Sequence, residues 1–579
     1  MSSFQKTSCG ALRAADVGRA VELNGWVHRR RDHGGLIFID LRDRDGIAQI
    51  VFDPKDAATF ALAESLRGED VVRVRGSVRT RPAGTENPKL STGAVELPTS
   101  ELHVWSRAET PPFPITSDER VDESLTLKYR YLDLRRPRMQ RNLTIRHKIV
   151  KAIRDFFDAR DFLEIETPML IKATPEGARD YLVPSRLSHG DFYALPQSPQ
   201  MLKQILMIGG VGRYMQIARC MRDEDLRADR QPEFTQLDVE MSFVGEEDVI
   251  ETMESSMIYT WRHALGIELP APFPRLTHAE AIRRFGSDKP DLRFGLELAD
   301  ASEAFAHSEF AIFRTATVIA LRYPGGASLS RRDFDALVET AKTFGAKGLV
   351  WLALGDETRS SIQRFMTPDL AADLAARCGA EHGDAVLLIG DANGEEARLV
   401  AGRLRNEIGD RIGGRDPEKF AFCWVVGFPW CEKDPETGEI APAHHPFTAP
   451  APGQESLIDT DPLAMRALHY DMVLNGYELG SGSIRNHDPS LQRKIFKMLG
   501  LSEEEIENRF GFFIHALDYG APPHGGMALG IDRIAMIACG EPSIRDVIAF
   551  PKNQQARDLM MDAPAGVPAK SLRELGISV

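Results

Sequence analysis

Apolar residues in the first hundred positions recur at every second place in short runs, 21–28, 36–41, 47–52, 71–78 and 101–105, separated by Gly, Asp and Pro. A period of two puts alternate side chains on opposite faces of a strand. Five such runs predict a small β-barrel whose spacing suits an OB-fold, although a generic barrel fits the pattern too. Proline and charge dominate 111–141, from Pro111-Pro112-Phe113-Pro114 onward, and predict a hinge. Helical spacing then begins at Leu143 and continues through Ile149, Ile153, Phe156 and Phe157. Two β-compatible arms, 214–220 and 233–240, flank a charge-dense loop and predict a long antiparallel hairpin. Between 292 and 420, strand-like runs (315–321, 348–354, 384–390) alternate with helical ones (330–344, 369–378), which predicts an α/β insertion. The expected fold class is α+β and multidomain. Its boundaries are a barrel over 1–110, a hinge over 111–141, a main domain over 142–291 and 421–560, the insertion over 292–420, and an extension over 561–579.

Composition narrows this little: 579 residues, 43% hydrophobic and 27% charged, is ordinary for a globular chain of several domains. No apolar run approaches the ~20 residues that span a bilayer, and Met1-Ser2-Ser3-Phe4-Gln5-Lys6 has no apolar signal core, so a cytoplasmic protein is expected. Six scattered cysteines without a CxxC pair argue against a disulfide framework and a structural zinc site. The net charge of −14 opposes indiscriminate binding of nucleic acid, but residues 1–110 hold 16 Lys+Arg against 15 Asp+Glu. A near-neutral module carrying Arg29-Arg30-Arg31 can still bind RNA, because the relevant field is local.

Candidate chemistry concentrates in two segments. The hairpin loop runs Arg222-Asp223-Glu224-Asp225-Leu226-Arg227 and returns through Glu233-Phe234. An arginine at its mouth can neutralise a phosphate, a glutamate can accept from an exocyclic amine, and a phenylalanine offers a stacking face. A solvated surface hairpin is the plain alternative. Far downstream, His524-Gly525-Gly526-Met527-Ala528-Leu529-Gly530-Ile531-Asp532-Arg533 lets backbone approach a ligand closely and delivers an arginine where a helix begins.

These residues carry a resemblance. The hairpin resembles motif 2 of class II aminoacyl-tRNA synthetases, 530–533 resembles motif 3, and Phe162-Leu163-Glu164-Ile165-Glu166-Thr167-Pro168 resembles motif 1. Further segments resemble those of bacterial aspartyl-tRNA synthetases over essentially the whole chain: 174–183, Gln197-Ser198-Pro199-Gln200-Met201-Leu202-Lys203, His444-His445-Pro446-Phe447-Thr448 and 476–485. Met221, Gly427, Ser481 and Asn486 depart from the family pattern, which has an aromatic, an acidic residue, a glycine and an aliphatic residue there. The resemblance implies an antiparallel-sheet catalytic domain, split by the insertion, that joins aspartate to ATP and then to tRNA. It also implies a homodimer built around Pro168.

The implied roles follow residue by residue. Arg222 and Arg533 are the catalytic pair. ATP would meet Arg222, Asp223, Glu224, Gln231, Phe234, Glu478, Gly530, Ile531, Asp532 and Arg533. Phe234 and Arg533 would lie on opposite faces of the adenine. Aspartate would meet Glu176, Ser198, Gln200, Met201, Leu202, Lys203, Arg222, Asp238, His444 and Arg485. In that set Lys203 and Arg485 receive the side-chain carboxylate and Asp238 the ammonium group. Asp471 and Glu478 would hold Mg²⁺. On the barrel, Arg31, Phe38, Gln49 and Glu96 would read the anticodon, with a core position as the plain alternative for Phe38. His33 and Gly84 resemble the relaxed members of the family, which charge both tRNA-Asp and tRNA-Asn and imply a partner amidotransferase. A strictly discriminating enzyme is the alternative. An asparaginyl-tRNA synthetase, an asparagine synthetase of similar fold and a non-catalytic RNA-binding paralogue are the other rivals.

Overall fold

Val21, Leu23 and Val27 leave strand Ala20–His33 on one face, and Ile37, Ile39 and Leu41 do the same from Leu36–Arg42. Burying those faces together closes a barrel. A computed structural model describes residues 4–117, 119–173, 178–434 and 437–578. The chain divides into two units, Met1–Thr144 with Ile548–Ala565, and Ile145–Val547 with Gly566–Val579.

In the first unit, strand Ala20–His33 pairs with Leu36–Arg42, which pairs with Ile47–Phe52. Ile47–Phe52 runs parallel to Val95–Ser106, Val95–Ser106 pairs with Val71–Ser77, and Val71–Ser77 closes on Ala20–His33. That is the barrel expected from the period of two. The segment expected as an open hinge is instead partly helical, with helices Glu123–Lys128 and Arg130–Asp133. Arg130, only 3% exposed, pairs with Asp133 and donates to the carbonyls of Ile548 and Ala549. Charge density there signals buried pairing rather than a solvated linker, a distinction local composition does not carry.

The second unit is built on an eight-stranded sheet, in the order Arg275–Thr277, Phe422–Val426, His469–Leu474, Tyr477–Ile484, His524–Gly530, Glu233–Ser242, Arg213–Met221, Leu163–Glu164. The two outermost pairings are parallel and the rest antiparallel. Along Glu233–Ser242, Leu237, Val239 and Met241 are buried apolar residues, and the alternate places are Phe234, Gln236, Asp238 and Glu240. One face of the central sheet is therefore core, and the other is a floor of polar groups.

The insertion has its own five-stranded sheet, Ala299–Asp300, Thr317–Tyr323, Ala385–Asp391, Val350–Leu354, Thr358–Ser360. Apolar cores cover both of its faces, one around Leu321, Leu387 and Leu404, the other around Val318, Leu388 and Leu374. The strands read from sequence are present, but every pairing is antiparallel. Hydrophobic period sets which face a residue takes, not the direction of its neighbour.

Candidate active site

The hairpin arms Arg213–Met221 and Glu233–Ser242 pair in register from Arg213 opposite Met241 to Met221 opposite Glu233, leaving 222–232 as the loop. Strand His524–Gly530 lies beside Glu233–Ser242, and Gly530 caps helix Ile531–Cys539. These elements enclose a cavity of about 350 Å³ whose lining includes Ser198, Gln200, Lys203, Arg222, Glu224, Gln231, Phe234, Asp238, Glu478, Arg485, Gly530, Asp532 and Arg533. That volume suits a small-molecule ligand.

At the loop end, the Arg222 guanidinium sits 5.1 Å over the Phe234 ring, and Arg222 makes no ion pair among the described residues. Arg533 donates to the carbonyl of Glu478 and pairs with Asp229 at 3.0 Å, and Glu224 pairs with Arg230 at 2.9 Å. Asp532 accepts from the Thr235 N–H at 2.8 Å and pairs with Arg146 at 2.5 Å, which ties the helix start to the hairpin.

At the inner end four charges are almost wholly buried. Lys203 lies 2.8 Å from Asp238 and 3.3 Å from Glu240, and Arg485 grips Glu240 with two hydrogen bonds of 2.9 and 3.0 Å. Burial alone would raise the Glu240 carboxyl, but Arg485 and Lys203 outweigh it and hold Glu240 below its ordinary range. For Asp238 burial outweighs the pull of Lys203, and its carboxyl is raised. Arg485 also touches His445 Nε2 at 2.8 Å. A guanidinium only donates, so that nitrogen accepts and the ring proton sits on Nδ1. Burial beside Arg485 pushes the His445 pKa well down and keeps the ring neutral.

Four buried polar atoms of residues in the cavity wall, Asp238 Oδ2, Gln200 Nε2, His469 Nδ1 and Arg533 Nε, have no hydrogen-bond partner among the described residues. Buried polar groups are rarely left so, and their convergence marks a site built for a ligand with an acceptor and a donor of its own.

Several expected residues stand elsewhere. His444 is replaced in the cavity wall by His445; its own ring stacks on His469, with centroids 3.3 Å apart. Met201 packs into the core around Phe447 and Phe496, and neither it nor Leu202, Asp223 or Ile531 lines the cavity. Met201 and Leu202 lie on helix Gln200–Ile208, whose turn brings only Gln200 and Lys203 round to the opening. Asp471 is likewise set back from the cavity lining. Its carboxylate is 2.9 Å from His469 Nε2 and does not reach the cavity, whereas Glu478 does. The Glu478 carboxyl is pushed up to about 7, chiefly by the charge of Asp471 and then by burial. A carboxylate pressed by a like charge at a cavity wall fits a cation shared with a ligand's oxygens, although the described residues contain no cluster of three metal-ligating side chains. Glu176 lies outside the described residues.

Sequence reasoning missed Glu240, His445, Asp229 and Ser483, the last of which accepts from Arg485 at 2.6 Å. For Glu240 a signal existed: it is the third polar residue, after Gln236 and Asp238, at a period of two. Of the departures from pattern, Gly427 has φ +68°, Ser481 lines the cavity, and Asn486 is satisfied by Gln492 at 3.2 Å.

On the barrel, Phe38 alternates with core residues Ile37 and Ile39 and is half-buried on the outer face, so it is not a core position. Beside it Arg31 meets Asp40 at 2.6 Å and Gln49 at 3.2 Å, Gln49 donates to Glu96 at 2.7 Å, and Arg79 bonds Glu96 at 2.8 Å. This is one polar network against an aromatic face. His33, the last residue of strand Ala20–His33, and Gly84, in a turn at φ +83°, are both exposed.

Comparison with known proteins agrees with this geometry. Residues 122–554 match the family model of tRNA synthetases class II (D, K and N), and 21–98 match that of the OB-fold nucleic acid binding domain. The aspartate--tRNA(Asp/Asn) ligase of Moorella thermoacetica is 54% identical over 573 residues, covering 98% of this chain and 95% of that protein. The aspartate--tRNA ligase of Geobacillus kaustophilus is 51% identical over 581 residues, covering 99% and 98%. Among solved structures, asparaginyl-tRNA synthetase from Pyrococcus horikoshii, complexed with asparaginyl-adenylate, superposes with TM-score 0.60 at 19% identity, over 95% of this chain and 98% of that one. Aspartyl-tRNA synthetase from Entamoeba histolytica gives 0.59 at 19%, over 95% and 92%. At such identities the structures speak for the fold. The chain belongs to the class II tRNA synthetases, and within them to the family of bacterial aspartate--tRNA ligases.

Proposed function

We propose that the protein activates L-aspartate with ATP, releasing pyrophosphate, and transfers the aspartyl group to the 3′ end of tRNA-Asp and tRNA-Asn. The observation that carries this reading is the buried quartet Lys203–Asp238–Glu240–Arg485, at the inner end of the cavity that Arg222, Phe234 and Arg533 also line. Two cations and an unsatisfied carboxylate oxygen suit a substrate with two carboxylates and an ammonium group. An asparagine amide would present an NH₂ to donors that cannot accept from it.

Neither step demands a protein nucleophile, so rate comes from positioning and charge neutralisation. Arg222 neutralises the α-phosphate as the aspartate α-carboxylate attacks it. Phe234 supports one face of adenine and Arg533 the other, and Glu224 accepts from the adenine amino group. Mg²⁺, held by Glu478 together with phosphate oxygens, would supply Lewis-acid polarisation and hold the triphosphate's shape. Asp471, whose own carboxyl is pushed well up by burial, bonds His469 and acts on the site only through its effect on Glu478.

The exposed His33 and Gly84 support relaxed tRNA choice, since neither places a bulky cation against the one anticodon base that differs between the two tRNAs. A relaxed enzyme works with an amidotransferase that converts the misacylated product. A homodimer about the segment ending at Pro168 and a cytoplasmic location complete the proposal; no helix among the described residues is long and apolar enough to cross a membrane. The deciding experiment is ATP–pyrophosphate exchange with aspartate and with asparagine, followed by aspartylation of the two purified tRNAs. Exchange with asparagine alone would overturn the amino-acid assignment. A preference for tRNA-Asp of about a thousandfold, ~4 kcal/mol, would show a strict enzyme.

A further inference from the structure

Gln197 is 3% exposed and takes no part in the cavity wall, yet its amide is fully engaged. Its Oε1 accepts from the Ala178 N–H at 3.1 Å, and its Nε2 donates to the Ala178 carbonyl at 2.8 Å and to Asp180 Oδ1 at 2.5 Å. One side chain thereby takes both main-chain groups of a single residue, as a neighbouring strand would. The other edge of this short segment is held by the loop of the hairpin: the Asp223 N–H donates to the Arg179 carbonyl at 3.1 Å. Leu195 N–H donates to Tyr181 at 2.9 Å, and Met221 N–H to Pro196 at 2.9 Å. Residues on both sides of Arg222 are thus pinned to the two stretches that Gln197 joins, and Gln197 directly precedes Ser198 in the cavity wall.

We infer that Gln197 is a positioning residue that sutures 178–181 to the segment carrying Ser198, Gln200 and Lys203, and through Asp223 sets the mouth of the cavity at Arg222. This rests on the proposed activation of aspartate in that cavity. Only an amide of this length serves, because the site asks for one acceptor and two donors. Glutamate keeps the acceptor, loses both donors and sets a charge against Asp180.

The test compares wild type with Gln197→Ala, Gln197→Glu and the double variant Gln197→Glu/Asp180→Asn, in which donor and acceptor of the third bond are exchanged. Amide hydrogen exchange is read over 178–181, with the melting temperature and the KM and kcat for aspartate in pyrophosphate exchange. Loss of the tether is expected to speed exchange over 178–181 and to raise the aspartate KM by at least about tenfold, with kcat changed less, since even one lost bond is worth roughly a factor of ten. The melting temperature of Gln197→Ala should fall little, with faster exchange confined to 178–181 and its neighbours, whereas Gln197→Glu, which sets a buried charge against Asp180, should lower it more. Gln197→Glu should exceed Gln197→Ala in both effects, and the double variant should recover part of them. Unchanged exchange over 178–181, or exchange rising throughout a chain of lowered melting temperature, would overturn the inference. Absence of aspartate-dependent activity in wild type would overturn the function instead, and the hydrogen-exchange arm would still decide the tether.

Discussion

Glu240 shows how much a single buried carboxylate can control. It carries hydrogen bonds from Arg485 and an ion pair from Lys203, and none of the three is more than 2% exposed. Removing one partner from such a group leaves charge without water or counter-charge, which costs about 3–5 kcal/mol. Glu240→Gln is therefore expected to lower stability by about that amount in chemical denaturation and to raise the aspartate KM more than the ATP KM. Equal stability in the variant would mean the quartet is not closed in solution. Glu478 yields a pH prediction. Its folded pKa of about 7 lies above the ordinary 4.5, so the folded chain keeps a proton that the unfolded chain releases. The stability due to that proton is full below 4.5 and lost as pH rises through about 7. The melting temperature without divalent cation should fall across that window. Added Mg²⁺ should raise it more at about pH 8 than at about pH 6, because only the ionised carboxylate binds the cation. Glu478→Gln should flatten both responses; a Mg²⁺ effect independent of pH would argue against this carboxylate as a ligand.

At the scale of elements, the hairpin and helix Ile531–Cys539 act as one body because Asp532 bridges them. An acid in a helix's first turn is favoured by the helix dipole, and here it also receives a strand N–H. Asp532→Ala should free the helix start that carries Arg533 and raise the ATP KM about tenfold, with Asp532→Asn falling between, since an amide still accepts from Thr235 but forms no ion pair. Steady-state kinetics with aspartate saturating would check this, and equal effects of the two variants would count against the bridge. The same scale shows what was legible. Hairpin arms, most barrel strands, three of the insertion's strands and two of its helices were read within a few residues, because each has a buried face that stamps its period on the chain; the insertion's longest helix, Gly394–Arg411, was not read. Helices Glu123–Lys128 and Arg130–Asp133 were not, because Arg130 is buried against carbonyls hundreds of residues away in sequence, those of Ile548 and Ala549, which the local charge density does not reveal.

At the scale of the molecule, the barrel's polar network and the catalytic cavity lie in separate units of the chain. Phe38→Ala and Gln49→Ala are each expected to reduce aminoacylation about tenfold through the KM for tRNA, because a base stacked on an aromatic ring contributes about 1–3 kcal/mol and a reading contact a similar amount. Aspartate-dependent pyrophosphate exchange should stay within about twofold, since that step needs no tRNA. Parallel loss of both activities would show that these residues serve folding rather than recognition.

The amino-acid sequence alone determined the architecture in outline and which segments meet at the cavity. Alternating positions set the barrel and the hairpin, and the segments around Arg222, Lys203, Arg485 and Arg533 were recognisable because each keeps its residues close together in the chain. Tertiary structure decided that His445 and not its neighbour His444 lines the cavity, and that of the expected pair Asp471 and Glu478 only Glu478 does. It also decided that Lys203 and Arg485 meet through Glu240, that the insertion's strands run antiparallel, and that Phe38 stands off the core. The physical reason is common to all of these. Local period and composition say which face a side chain takes, whereas desolvation and pairing depend on what packs against that face, and those partners come from distant parts of the chain.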